Sequence, residues 1–580
     1  MAQPIGAYES ESDNEEYEDT QESLPLPADM TLNRALDEAN RAVNDFFNNN
    51  FEDAKSLMNS YKDVSMYHSL GSAMFLSLEA IMTFEQESIA LAVTALKRSL
   101  AVSNRFRKKN TIGESIGNAV RGTQYAQYTT MEAHAELCYA ESLMLRAVLT
   151  FAGDETLTGI IKGGIRMRNC FNAFKDCQEI LLKKNWDGDS TKNHFESGVK
   201  AGIGSFNLMI SLMPAKVTKL LELIGFSGNR QLGLRELDAG AKSEGMRQIL
   251  SVMVTLAYNL IVLHVLGHRE GDMRTCRDII QNQLEKHPDS VWFSFFMGRL
   301  EFVSGNLDAG QEWYSKSWNS QNIWPQFHQV CYWELFWVHC MKTEWRQAIV
   351  YCDKLIENSK WSRSLYSYLK AAVLLMIDDD LTLSEVEEVN RLMGDVTKHK
   401  QRIAGKSLPM EKLAVKRAER YLTQKGGLVI PIIEMMYLWN IFKVLKKPLV
   451  ATNILKIIEK ALKTVNIKSK NSPSEYDNDN KAVVLLAKGT CLRYMGSPLQ
   501  GLECLENVIS MKKSLVEDHY VVPYAIVELA LIEWQNGKKE LAIAALEDVK
   551  KNFAGYAMEA RLQFRIHSAL SDFKSDNILC

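Results

Sequence analysis

Apolar residues recur at three- and four-residue steps along most of the chain, and short polar breaks cut this pattern into helix-length pieces. The clearest piece is Gly298 to Trp318, GRLEFVSGNLDAGQEWYSKSW. It reads as two amphipathic helices parted at Ser304-Gly305-Asn306. Gly298 lets a neighbouring helix approach closely, and Gly305 can take the left-handed conformation that ends the first helix. Beyond the break, Leu307, Gly310, Trp313, Tyr314 and Ser317 form one apolar stripe. A single hairpin leaves that stripe uncovered, so it must stack on others.

Further copies are present. Gly489, Gly496 and Gly501 repeat the spacing of small residue, turn and small residue, and Pro523, Gly537 and Ala542 punctuate the next unit. Ala348 fills the small slot between Trp345, Cys352 and Leu355. Ala54 and Ala92 do the same near the N-terminus, but without a glycine at the turn, so those units read as degenerate. The spacing resembles the tetratricopeptide repeat (TPR), with His287-Pro288 where that repeat's closing proline stands. The predicted fold is therefore all-α: a TPR-like α-solenoid, a superhelix of helical hairpins with a degenerate N-terminal half.

The expected organisation follows from where the pattern changes. Residues 1–28 carry acidic groups and no Lys or Arg, which predicts a disordered tail. Ser10 and Ser12 there are candidate phosphorylation sites, a plain solubilising tail being the simpler reading. Residues 29–245 make an N-terminal helical region, 246–467 a central array, 468–480 a polar linker, and 481–575 the closing repeats with a capping helix. Ile249 to Gly267 has no Asp, Glu, Lys or Arg and is about long enough to span a bilayer. Ser251, Thr255, Asn259 and His264 interrupt it at the point where the repeat phase needs a helix, so a solenoid helix covered on both sides is favoured over a membrane contact.

Composition narrows the chemistry. A formal charge of −3 over 580 residues selects neither nucleic acid nor membrane as a partner. Ten cysteines without a CxxC pair read as reduced core thiols of a cytoplasmic protein. Ala404-Gly405-Lys406-Ser407 imitates the end of a phosphate-binding loop, but position 400 is Lys where that loop needs Gly, and a helix precedes it where a strand is needed. His264 and His268 lie four apart without a third metal ligand nearby. No GxSxG nucleophile elbow occurs. The expectation is a non-enzymatic chain with no catalytic residue, cofactor or metal.

WPQFHQVCYWELFWVHC, AGKSLPMEKLAVKRAERY, GVKAGIGSFNLMISLMPAK and LLELIGFSGNRQLGL are similar to the tetratricopeptide repeat protein 39 family, A and B types, which takes in the fungal inclusion-body-clearance protein. The resemblance implies a scaffold or adaptor that binds other proteins, in lipid homeostasis or protein quality control. The alternative is a TPR protein at the mitochondrial outer membrane or a lipid-droplet surface, through Ile249–Gly267 or the basic helix Lys412–Arg420. The nucleus is a third location. In TPR folds the first helix of each repeat lines an inner groove, and that phase brings Trp292, Arg299, Trp333, Trp337, Arg493 and Tyr494 there as candidate partner-binding residues. For any single aromatic, inter-repeat core is the simpler reading. Arg299 and Arg493 stand apart, because Arg is rarely buried without a partner.

Overall fold

Helical hairpins follow one another from Leu32 to Ile578, and no strand occurs among the described residues. The structure is a computed structural model that describes residues 29–578 apart from 84, 109–122, 154–156, 213–227, 360, 378–380, 400–408 and 425–426. The acidic tail 1–28 and the loop Ala404–Ser407 lie outside the described residues.

The N-terminal half consists of α1 (Leu32–Phe47), α2 (Phe51–Asn59), α3 (Met66–Thr83), α4 (Gln86–Phe106), α5 (Thr130–Gly153), α6 (Leu157–Lys183), α7 (Lys192–Ser211) and α8 (Arg230–Ala241). α9 (Gln248–Ala257) continues through a π-helical turn at Tyr258–Val262 and a last turn at Leu263–Val265, and α10 (Met273–Lys286) follows. The central hairpins are α11 (Val291–Val303) with α12 (Leu307–Asn319), α13 (Pro325–Met341) with α14 (Trp345–Asn358), and α15 (Arg363–Leu374) with α16 (Leu383–Lys398). Then come α17 (Pro409–Gln424), α18 (Pro431–Leu438) with a 3-10 turn at Ile441–Val444, and α19 (Pro448–Asn471). The chain closes with α20 (Asp477–Tyr494), α21 (Pro498–Ser510), α22 (Val521–Gln535), α23 (Lys539–Asn552) and α24 (Glu559–Ile578).

The turn glycines act as the spacing predicts. Gly305 has φ +82° and Gly496 φ +78°. A Cβ on Gly298 would lie 2.7 Å from the Tyr314 ring, so the two helices of that hairpin meet only because the position is bare. Two other turns solve the same problem without glycine. Asn49 at φ 68° ends the α1–α2 turn, and Thr343 at φ 59° ends the α13–α14 turn.

Asn49 also joins distant parts of the chain. Its side-chain amide donates to the Asp289 carbonyl at 2.7 Å, and its oxygen accepts from the backbone N–H of Val291 at 3.0 Å, capping α11. Around that contact Phe47 stacks on Phe293 with centroids 5.4 Å apart, and Phe51 meets Trp324 at 5.1 Å. The N-terminal region is thus packed against the central array, and one continuous apolar core runs from Met30 to Phe573.

Three local expectations need correction. α19 continues to Asn471 and α20 starts at Asp477, so the connection expected at 468–480 is only residues 472–476. Lys468 and Lys470 sit in the last turn of α19, where cations suit the negative helix end. In the basic helix α17, Arg417 and Arg420 are 3% and 5% exposed and bind Glu434 and Asp518, so half of its expected cationic face is internal. In α24, expected to expose its cations as a cap, Arg565 is 8% exposed.

The Gln248–Val265 stretch is long and apolar enough to cross a membrane, yet the protein binds its loose end with polar groups. A π-helical turn, and the helix end that follows it, present carbonyls short of helical partners. Arg299 Nε donates to the Leu260 carbonyl at 3.0 Å, Asn440 to that of His264 at 2.8 Å, and Lys443 Nζ to those of Leu263 and Gly267 at 2.9 and 2.6 Å.

Replacing Asn49 by Ala removes three hydrogen bonds, the third to Ser320 Oγ at 3.4 Å, and leaves a residue without side-chain help in a left-handed turn. The expected loss is about 1–3 kcal/mol. Asn49→Gly, which keeps the backbone conformation, should lose less. Hydrogen exchange of the first-turn amides of α11 in both variants checks the order.

Candidate functional site

α11, α13, α15, α18, α20 and α22 bury residues on every side, whereas their partners α12, α14, α16, α19, α21 and α23 bury a single stripe. The first helices therefore form an inner layer covered on both faces. In an open superhelical groove one face would be bare. Here the chain supplies the cover: α1 and α3 at one end, the turns after α9 in the middle, and α24 at the other end.

This cover decides the fate of the predicted groove residues. Arg299 is 4% exposed, with Nη1 2.6 Å from Glu334 and Nε on the Leu260 carbonyl. Trp337 is 2% exposed, wedged edge-on against Trp333 and Phe336. The Arg493 side chain is buried against Glu528. These three hold the chain itself, so a partner cannot reach them without an opening of the layer. Trp292, Trp333 and Tyr494 remain half-buried and reachable.

Trp333 and Tyr494 flank a group that the sequence did not assemble. Trp333 meets Trp439 at 5.3 Å, and the Arg561 guanidinium stands 5.0 Å above the Trp439 ring. Beside it Glu528, fully buried, receives Arg493 Nε at 2.9 Å and Arg565 Nη1 at 2.7 Å. The Arg493 guanidinium lies 4.1 Å over Tyr494. Burial alone would raise the Glu528 carboxyl, but Arg565 and then Arg493 overturn that and hold it down at about 2. Burial and then Arg565 push the Lys443 ammonium down to about 7. Burial also pushes Arg561 down, to about 10, with Tyr524 opposing and Arg565 adding to the shift. Arg561 has no carboxylate within ion-pair distance among the described residues. Arg493 and Arg565 thus share one carboxylate, Arg565 also bears on Lys443 and Arg561, and half-buried indole rings lie at the edge.

Trp292 belongs elsewhere. It lines an apolar cavity of about 290 Å³ between α1, α3, the end of α5 and α9. No group of three His, Cys, Asp or Glu side chains able to hold a metal occurs among the described residues.

The family model for Iml2/Tetratricopeptide repeat protein 39 matches residues 40–495. The Caenorhabditis elegans tetratricopeptide repeat protein ttc-39B is 33% identical over 563 residues, covering 96% of this chain and 95% of its own. The chain belongs to the Iml2/TPR 39 family. Solved structures overlap this family member only loosely. Yeast Tom70 gives a TM-score of 0.29 at 10% identity, covering 94% of this chain and 96% of its own. A monomeric IFIT1 variant gives 0.33 at 10% identity, with coverage of 90% and 96%.

In this family member the residues that sequence reasoning missed are Trp439, Arg561, Arg565 and Lys443. Trp439 and Lys443 fall where helical periodicity breaks into a 3-10 turn, so no stripe marked them. Arg561 and Arg565 lie one turn apart on α24, a spacing that could have marked one cationic face, but the face looked like a solvated cap.

Glu528 gives this cluster an acid limb. Its folded pKa lies below the ordinary 4.5, so its stabilising contribution is complete above about 4.5 and is lost as pH falls towards about 2. Glu528→Gln should destabilise the protein at neutral pH by about 3–5 kcal/mol, because two buried guanidiniums lose their counter-ion. It should also flatten the fall in urea midpoint across that acid window, which urea titrations of both proteins measure.

Proposed function

We propose that this protein is a non-enzymatic interaction scaffold whose inner wall receives an acidic segment of a partner protein. The observation that carries the reading is Arg561 over Trp439: a guanidinium on an indole, with a hydrogen bond to the Val265 carbonyl at 3.3 Å but without a carboxylate, next to Arg493 and Arg565 sharing Glu528. Arg and Trp are the side chains that most often dominate interface energies. A carboxylate arriving there would meet positive charge already fixed by the fold, and Trp333 and Tyr494 would flank its apolar neighbours.

Membership of a helical-repeat family supports a binding role over catalysis. The family resemblance points to partners in protein quality control or lipid regulation. Nine buried free thiols among the described residues fit a cytoplasmic setting, where thiols stay reduced.

The test is a double variant, Arg561→Gln with Trp439→Ala, compared with the unaltered chain in partner recovery from cells and in titration against acidic peptides. Affinity should fall by about tenfold or more, and binding to the unaltered chain should weaken with added salt. Unchanged recovery by a folded double variant, or recovery of RNA in place of protein, contradicts the proposal.

A further inference from the structure

The cavity beside Trp292 lies apart from the cationic group, and its shape and chemistry are specific. It follows α3 from Tyr67 to Ile81, a run of about 21 Å at a rise of about 1.5 Å per residue. A volume of about 290 Å³ drawn out over that length makes a narrow slot. A partner helix, about 10–12 Å across with its side chains, is too wide for it.

The wall also excludes an extended peptide. Apart from the Trp292 Nε1–H, which is buried without a partner, its side-chain polar groups are satisfied within the protein. Arg247, 3% exposed, is paired to Glu141 through Nε at 2.5 Å and Nη2 at 2.6 Å. The Tyr67 hydroxyl is 2.6 Å from His134 Nδ1, and Ser77 Oγ donates to the Ala73 carbonyl at 2.7 Å. Backbone N–H and C=O groups entering the slot would find no partners beyond that one N–H, and that loss is prohibitive in an apolar site. With Arg247 neutralised by Glu141, the slot complements an uncharged chain without polar atoms. Engineered apolar cavities of about 150 Å³ stay dry and bind benzene, and this one is larger.

We propose that the slot binds the single aliphatic chain of an amphiphile, with the polar head left at the mouth. The half-buried part of its lining includes Met74, Met246 and Met253, and methionine side chains readily reshape around a flexible guest. The face of α9 turned to this slot accounts for part of the Gln248–Val265 window that the protein leaves uncovered, 44% of that window being buried. Its hydropathy therefore has a use within the fold, as the wall of a binding site.

The experiment uses the full chain stripped of lipid. Titration with cis-parinaric acid, a polyene that fluoresces when desolvated, should show saturable binding that stearic acid displaces. Ala42→Phe, which places a ring in the slot from α1, should lower that affinity by about tenfold or more while leaving the melting temperature equal or higher, since it fills a void. Stearate carrying a diazirine on its chain should cross-link to peptides of α3 and α9, a result that does not depend on the variant folding. Uptake of phosphatidylcholine from vesicles would assign a membrane lipid as the source, and binding of stearic acid alone a free amphiphile. No saturable binding to the unaltered chain, equal binding by a folded Ala42→Phe protein, or cross-links elsewhere would overturn the proposal.

Discussion

Arg299 lies between two layers that must be held together. Its guanidinium reaches Glu334 on the neighbouring inner helix and the Leu260 carbonyl on the covering segment. The constraint behind that contact is simple. The inner helices are apolar on every side, so their concave face cannot be left to water, and the chain must cover it with itself. The cover available is the stretch after α9, where a π-helical turn and the helix end that follows it present carbonyls to the array. Arg299, Asn440 and Lys443 take those carbonyls, and so a segment that composition would send to a bilayer is tied by polar bonds to the repeat array.

The same device recurs along the inner layer. Arg247 pairs with Glu141, Arg417 with Glu434 and Asp518, and Arg493 and Arg565 with Glu528. Buried pairs of this kind add little net stability over apolar packing, but an unpaired member is expensive, so they penalise any register in which the helices slide. Only at the last pair do cations outnumber carboxylates. Self-coverage therefore leaves two openings of opposite character: an uncharged slot under α3, and a cation-rich, aromatic-edged patch where Arg561 of α24 lies over Trp439. A protein that fills its own groove can still bind at the places where the filling stops.

Much of this fold was legible in the sequence because its grammar is local. Gly298, Gly305, Gly496 and Gly501 mark close approaches and left-handed turns within a few residues of one another. Asn49 and Thr343 fill the turn position of glycine with less typical residues, and the N-terminal units looked weaker than they are. The candidate site was less legible. Arg299 and Trp337 lie on the inner layer where repeat phase places them, but phase says nothing about what covers that layer. Arg561 and Trp439 meet across more than a hundred residues, and no spacing rule links α24 to a 3-10 turn. The slot is lined by residues from α1, α3 and α9 together, and no one of these helices marks it.

The central claim is that the segment after α9 is an internal cover of the inner layer. Hydrogen exchange of the amides from Ile261 to Leu266 in the intact chain, without lipid or partner, tests it most directly. The account predicts protection in the same slow class as α11 and α13. Exchange as fast as that of solvent-facing residues on α12 and α14, or protection that arises only when membranes are added, would contradict it.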